Sequence, residues 1–377
     1  MLFRSPRQAP AANAAGAFAC PLGAAPGAGA RRSLHSDRQR ADNAGMEPRL
    51  LLSWLTVSLV LLLLLGVALA ALHVLYTAWV RTRFAADGEF VVHEGAPLHF
   101  VRVGQGPAVI LIHGANGTGH DFPAALVADL ASDHTVIVCD RPGHGWSAAP
   151  PGPLGLRENA AALQALTRLL RLEKVTLVGH SYGAAVAMRA AIESPELFHH
   201  VVAVTPCTAI DARNGRYANA PFVGTAEGRW VLQCITLLLL PFAGRLRTQA
   251  WHPGAPPRGW SASRAFAYTP SQMHASARNF RALHADMAWL EDHIGALSGR
   301  LTVIAGASDR VTPPARHVDW LAKKVAKATF LTLQGVGHWL PIRRPEVIAE
   351  AVRNAAPRSL LVRSAEATPV QDPAGHE

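Results

Sequence analysis

Leu172-Glu173-Lys174-Val175-Thr176-Leu177-Val178-Gly179-His180-Ser181-Tyr182-Gly183-Ala184-Ala185-Val186-Ala187 is the stretch whose reading decides the fold. Val175–Val178 is short, apolar and β-branched, as in a strand buried on both faces. Tyr182–Glu193 carries helix-forming residues. Between them Gly179-His180-Ser181-Tyr182-Gly183 matches G-x-S-x-G, which needs a strand, a sharp turn and a helix in this order. The turn is so tight that the residues beside the serine must be small. Gly179 and Gly183 meet that demand, and Ala184, Ala185 and Ala187 continue it. Ser181 then projects at the carboxyl end of a strand, in front of a helix N-terminus that favours developing negative charge.

Working outward, the same alternation repeats. Strands are expected at Phe90–His93, Leu98–Val103, Ala108–Ile112, His134–Cys139, His200–Val204, Leu301–Ala305 and Thr329–Leu333. Helices are expected at Phe122–Leu130, Leu156–Leu172, Arg316–Val325 and Pro345–Arg353. Such alternation implies right-handed crossovers and a mostly parallel sheet. Four strand ends carry further signals. His113-Gly114-Ala115-Asn116-Gly117 is a Gly-rich loop able to aim a backbone N–H towards the serine, with His113 read as a structural residue. The sequon Asn116-Gly117-Thr118 is read as a coincidence. Asp140-Arg141-Pro142-Gly143-His144-Gly145 is a sharp loop, in which Asp140 shapes the turn. Asp309, in Gly306-Ala307-Ser308-Asp309, and His338, in Gly335-Val336-Gly337-His338, follow two successive strands. A carboxylate and a histidine placed so can converge on Ser181, the histidine taking the serine proton and the carboxylate orienting it.

From about Phe90 to Arg353 the chain resembles the α/β-hydrolase superfamily, in the branch with a helical cap after the sixth strand. The order Ser181, Asp309, His338 is the one found in that fold. The resemblance implies Ser181 as nucleophile, His338 as base, Asp309 as acid, and the N–H groups of Ala115 and Tyr182 as oxyanion donors. It departs from many relatives at Ala184, where they carry a second glycine. Dehalogenases and epoxide hydrolases of the superfamily use an aspartate nucleophile, and Ser181 argues against both. The expected activity is a serine hydrolase cutting an ester or related acyl bond of a small apolar substrate. C–C bond hydrolysis or cofactor-free perhydrolysis on the same triad, and a noncatalytic membrane-tethered binding protein, are the alternatives.

Upstream, Leu50–Val80 contains no Asp, Glu, Lys or Arg over 31 residues, and is bracketed by Arg49, Arg81 and Arg83. About 20 apolar residues span a bilayer. Trp54 sits near one end and Tyr76 and Trp79 near the other, where interfacial aromatics belong. The stretch is read as a transmembrane helix rather than a cleaved signal peptide. The flanking charges do not decide orientation, and the expected location is single-pass in a bacterial inner membrane. Arg81–Glu89 reads as a polar linker, which makes the anchor a tether, and a chain beginning at Phe84 is expected to keep its activity.

The fold class expected is therefore α/β, a doubly wound, mostly parallel sheet with a cap insertion and one N-terminal membrane helix. The expected segments are residues 1–49 as a disordered extension, 50–80 as the membrane helix, 88–206 and 298–355 as the core, 207–297 as the cap and 356–377 as a flexible tail. Residues before Met46 are low in complexity and are read as an overextended reading frame. In the cap, Phe222, Trp230, Leu237–Leu240, Phe242, Trp251 and Trp260 either line an apolar pocket or pack the cap on the core.

Of the 377 residues, 50% are hydrophobic and 16% charged, which excludes wholesale disorder. The net charge is +10, but only four of the 36 basic residues are lysine (Lys174, Lys323, Lys324, Lys327). That bias, with abundant Ala, Gly and Pro, matches GC-rich codons, and no basic stripe is interleaved with aromatics, so nucleic-acid binding is not expected. The four cysteines lack metal-ligand spacing. No cofactor or metal is expected, and the sequence sets no oligomeric state.

Overall fold

The computed structural model describes residues 48–208, 251–254 and 262–355. The expected N-terminal extension, most of the expected cap, including Phe222, Trp230, Leu237–Leu240, Phe242 and Trp260, and the expected tail lie outside the described residues.

Eight strands form one sheet: β1 (Glu89–His93), β2 (Ala96–Val103), β3 (Ala108–Ile112), β4 (Thr135–Cys139), β5 (Val175–His180), β6 (Phe198–Val204), β7 (Leu301–Gly306) and β8 (Thr329–Leu333), in the order β1-β2-β4-β3-β5-β6-β7-β8. β1 and β2 are a hairpin closed by Glu94 and Gly95, both at positive φ (49° and 74°), the backbone twist that suits a two-residue turn. β2 runs antiparallel to β4, and every later pairing is parallel. The unbroken apolar runs identify the centre of the sheet: every residue of β3, β4 and β5 is buried. The edge strand β8 has only exposed and half-buried positions instead.

Helices cover both faces. α1 is Pro48–Arg83, α2 Ala124–Ala131, α3 Leu156–Leu169, α4 Tyr182–Glu193, α5 Ala262–Phe266, α6 Pro270–His293, α7 Pro314–Lys324, α8 Leu340–Arg343 and α9 Pro345–Ala355. One core layer gathers Ile110, Ile112, Leu163, Leu166 and Leu177 with the alanines of α4. The other gathers Val109, Leu111, Leu126, Leu130, Ile304 and Ile348. α4 is buried along nearly its whole length, so its small side chains let it lie close against the sheet. α6 is clamped to the core through Asp286, which accepts the Leu156 N–H at 2.8 Å and so caps the start of α3.

The chain divides into two compact units, residues 1–64 and 65–377. In the first unit, Leu50–Leu64 of α1 exposes its leucines on all sides. The second unit corrects the linker expectation. α1 continues through Arg83, so the polar segment shrinks to residues 84–88. Val80 is wholly buried with Ala265 and Phe266, next to Tyr76, Phe84 and Trp146. Tyr76 O–H donates to the Ala265 carbonyl at 2.8 Å. The last turns of α1 are thus a packed part of the catalytic unit, because Tyr76, Val80 and Phe84 recur at helical spacing on one side.

Candidate active site

The β5–α4 junction puts Ser181 at φ 55°, ψ −117°, a backbone conformation costly for any residue with a Cβ. Its neighbours explain why the strain persists. A Cβ on Gly179 would lie 2.4 Å from the Gly183 carbonyl oxygen, and one on Gly183 would lie 2.3 Å from that of Ile112. Both glycines are therefore sterically required, and the N-terminus of α4 presses on the end of β3. Ser181 N–H donates to Val204 O at 2.9 Å, which ties the turn to β6. A Cβ on Gly114 would approach the Ser181 Cβ to 3.2 Å, so the loop carrying Ala115 passes directly beside the serine. Tyr182 is the first residue of α4, where N–H groups have no partner within the helix.

Asp309 follows β7 and His338 follows β8. The structure joins them: His338 Nδ1–H donates to Asp309 Oδ2 at 2.8 Å. Asp309 Oδ1 accepts the N–H groups of Val311 (2.7 Å) and Thr312 (2.9 Å). Thr312 Oγ lies 2.8 Å from Asp309 Oδ2, 3.0 Å from the Thr205 carbonyl and 3.2 Å from His338 Nδ1. Burial would raise the Asp309 pKa, but the His338 ring and these hydrogen bonds outweigh it and hold the carboxyl below its ordinary range. Asp309 is therefore a carboxylate that fixes the His338 tautomer with Nδ1 protonated and Nε2 open as an acceptor.

The link to Ser181 runs through its neighbour. His180 Nε2–H donates to the His338 carbonyl at 3.0 Å, and the two rings are 4.9 Å apart. Thr205 Oγ–H donates to the same carbonyl. Ser181, Asp309 and His338 are all buried. Burial, then the facing His338 ring, pushes the His180 pKa down to about 3, so His180 is neutral at physiological pH.

The Ala115 loop is held from both sides. Arg141 is fully buried: its N–H donates to His113 Nε2, its side chain reaches the carbonyls of His113 and Gly114, and Nη1 reaches Asn159 and Asn279. Burial lowers the Arg141 pKa to about 10, which leaves it charged at neutral pH. His113 Nδ1–H donates to Gly114 O, and burial with the nearby Arg141 charge holds this ring neutral. On the other side, Asn116 Nδ2 donates to Ala267 O, and Gln272 Nε2 donates to the carbonyls of Asn116 and Gly117. Thr118 is wholly buried at 2.5 Å from Ser263, whereas Asn116 is half-buried. Asp140 accepts N–H groups of Gly119 and Trp146 and pairs with His99, a turn-shaping role away from His338.

Sequence reasoning missed Thr312, His180 and Arg141. The first two act through contacts between elements distant in the chain. Arg141 had a signal: a lone arginine between a buried strand and a Pro-Gly turn.

Solved structures share this fold. Epoxide hydrolase CorEH matches with a TM-score of 0.59 at 17% identity, over 71% of this chain and 97% of that one. The CarC serine hydrolase involved in carbazole degradation matches with a TM-score of 0.54 at 20% identity, over 71% and 97%. An uncharacterized protein of Mycobacterium tuberculosis is 37% identical over 102 residues, 27% of this chain and 30% of its own length. The first curated relatives are matched over less than half of their length. The family model of the alpha/beta hydrolase fold matches residues 107–345, well over half of the sequence and from β3 to beyond His338. The chain belongs to the alpha/beta hydrolase fold family.

Proposed function

We propose that this chain is a membrane-anchored serine hydrolase that cleaves an ester or related acyl bond through an acyl-enzyme. The observation that carries the reading is the 2.8 Å bond between His338 and Asp309, one residue's hydrogen bond away from a serine on a strained strand-to-helix turn. The fold itself supports hydrolase activity.

In the proposed mechanism Ser181 Oγ attacks the acyl carbon as His338 Nε2 takes its proton. Asp309 stabilises the imidazolium and keeps the ring oriented. The carbonyl oxygen becomes an oxyanion that receives the N–H groups of Ala115 and Tyr182, with the α4 N-terminus adding favourable potential. His338 returns its proton to the leaving alcohol, which departs and leaves acyl-Ser181. A water then attacks with His338 again as base, and the acid is released. An aspartate nucleophile, as in epoxide hydrolases, is set aside because the elbow holds Ser181.

A fluorophosphonate probe tests this. Labelling and turnover of p-nitrophenyl esters are expected in the full chain and absent from Ser181→Ala, with unchanged thermal unfolding. Undiminished turnover in that variant would refute the assignment. Cleavage of a vinylogous diketone but of no ester would transfer the same triad to C–C hydrolysis. Absence of both activities and of labelling would favour a binding protein.

The membrane part of the proposal rests on α1. Trp54 and Trp79 are 25 residues apart in one helix, more than the roughly 20 residues that cross a hydrocarbon core. Trp79 is read as one interfacial boundary of the proposed span, with Trp54 near the other.

A further inference from the structure

Arg81 follows that boundary by two residues, about 3 Å beyond Trp79 along the helix, which is headgroup depth. On the catalytic unit Arg81 borders a cleft of about 970 Å³, together with His274, Arg278 and Arg281 of α6 and the loop 147–153. No aspartate or glutamate lines it among the described residues. Glu158, the carboxylate whose field reaches Arg278, accepts the Gly155 N–H at the start of α3. Ser271, in the first turn of the 24-residue α6, also lines the cleft, so the positive end of that helix adds to the potential.

The arginines are arranged differently from a solvated surface cluster. Arg278 is braced by the carbonyls of Pro150, Gly152 and Pro153 through Nη2, while its Nε is buried with no acceptor among the described residues. Arg81 is held over the Trp146 ring at 5.1 Å. Arg281 is exposed. Arg81 and Arg281, which also line the cleft, make no ion pair among the described residues, and a guanidinium with free donors suits a tetrahedral anion, which it meets with two parallel N–H bonds.

We propose that this cleft receives the phosphodiester of an anionic membrane lipid and so docks the catalytic unit on the bilayer surface by charge, in addition to the apolar α1. The inference rests on the membrane reading of α1. The commitment to lipid over free phosphate comes from the depth of Arg81 and from continuity with the exposed apolar side chains of Val74, Leu75 and Trp79.

The full chain in neutral detergent is mixed with dioleoyl-phosphatidylglycerol or dioleoyl-phosphatidylcholine, and retained lipid is counted by native mass spectrometry. Phosphatidylglycerol should be retained at least about 25-fold over phosphatidylcholine, about fivefold for each of Arg81 and Arg281. Arg281→Gln should cut that preference about fivefold, the equivalent of about 1 kcal/mol per basic residue at a membrane surface. Arg81→Gln with Arg281→Gln should abolish it. Arg102→Gln, an exposed arginine on β2, should leave it intact, and ester turnover of Arg281→Gln should match the parent. Equal retention of the two lipids, a preference that survives the double substitution, or an equal loss in Arg102→Gln would overturn the proposal. Displacement of the lipid by millimolar inorganic phosphate would also overturn it, in favour of a free-anion site. Carbonate washing of membranes separates the two readings. A chain released by carbonate sinks the membrane reading, whereas a resistant chain without lipid preference sinks the cleft alone.

Discussion

At the residue scale the proposed site depends on how Asp309, its proposed acid, is held. Asp309 accepts four hydrogen bonds, from His338, Thr312 twice and Val311, while almost fully shielded from water. A buried carboxylate without such donors would protonate and release the histidine. Thr312 is thus a positioning residue: its hydroxyl touches the acid and lies against the ring nitrogen that the acid must hold. Thr312→Val keeps the shape and removes that hydroxyl. A hydrogen bond to a charged group is worth about 1.5–3 kcal/mol, so kcat on a small ester should fall roughly 10–100-fold. KM should stay within about twofold, because nothing in this contact binds substrate. Thr312→Ser should restore most of the loss. Equal kcat in Thr312→Val and its parent would remove Thr312 from the positioning network.

At the element scale, what decides the site is how loops are pinned between elements. Arg141 joins the β3 loop to α3 and α6 with no carboxylate in hydrogen-bond contact, so the amide and carbonyl oxygens around it do the solvating. Arg141→Met leaves those oxygens buried without donors and should cost roughly 3–5 kcal/mol of stability. Chemical denaturation checks this, and a loss below 1 kcal/mol would mean the loop is held by its backbone alone. The strands and the elbow were legible because they are local facts. Ala108–Ile112 and Val175–Val178 are apolar because both faces are covered, and Gly179 and Gly183 are small because a carbonyl lies where a Cβ would be. The helix after β4 was read through Leu172 but ends at Leu169, since Arg171 turns to φ 52° at the chain reversal, a break its side chain does not announce. His180, Thr312 and the packing of α1 were not legible. His180 meets His338, Thr312 meets Thr205 and His338, and α1 meets α5, all across many residues, and in the case of α1 the flanking arginines imitate the polar end of a tether. The cap aromatics could not be assigned from composition, but Trp251 stacks on Trp339 at 5.0 Å, beside His338, a packing role for that one.

At the scale of the whole molecule, His113, His144 and His180, among the described residues, are buried and neutral. In each, burial depresses the folded pKa below the unfolded value near 6.5, so the unfolded chain takes up protons that the fold refuses. Stability from these groups is complete above about pH 6.5 and is lost as pH falls toward the folded values, with about 1.4 kcal/mol per pH unit for each group once it is fully linked. Denaturation midpoints of the full chain in detergent should be level from pH 8 to 7 and fall steadily from 6.5 to 5, and, with His200 also pushed down to about 4 by burial, His180→Gln should flatten that slope by about a quarter. A level profile down to pH 5 would mean these rings ionise in the folded state. The same scale decides what α1 is for. Tyr76 and Val80 press on α5, α5 precedes the Ala267 carbonyl that binds Asn116, and Asn116 adjoins Ala115, the proposed oxyanion donor. A chain starting at Phe84 would strip Val80 and Tyr76 from Ala265 and Phe266, a loss of roughly 2–4 kcal/mol of apolar contact. It would also loosen a loop in which small displacements cost up to about 100-fold in rate. In matched detergent, on a small soluble ester, that chain should turn over at least about tenfold more slowly than the full protein. A chain starting at Leu72, which keeps the turns that pack on Ala265 and Phe266 but not most of the proposed membrane span, should retain nearly full rate. The contrast isolates docking from anchoring, since both chains lack most or all of the span. If the two truncated chains are equally fast and match the full protein, the docked turns are passive and α1 is a tether after all.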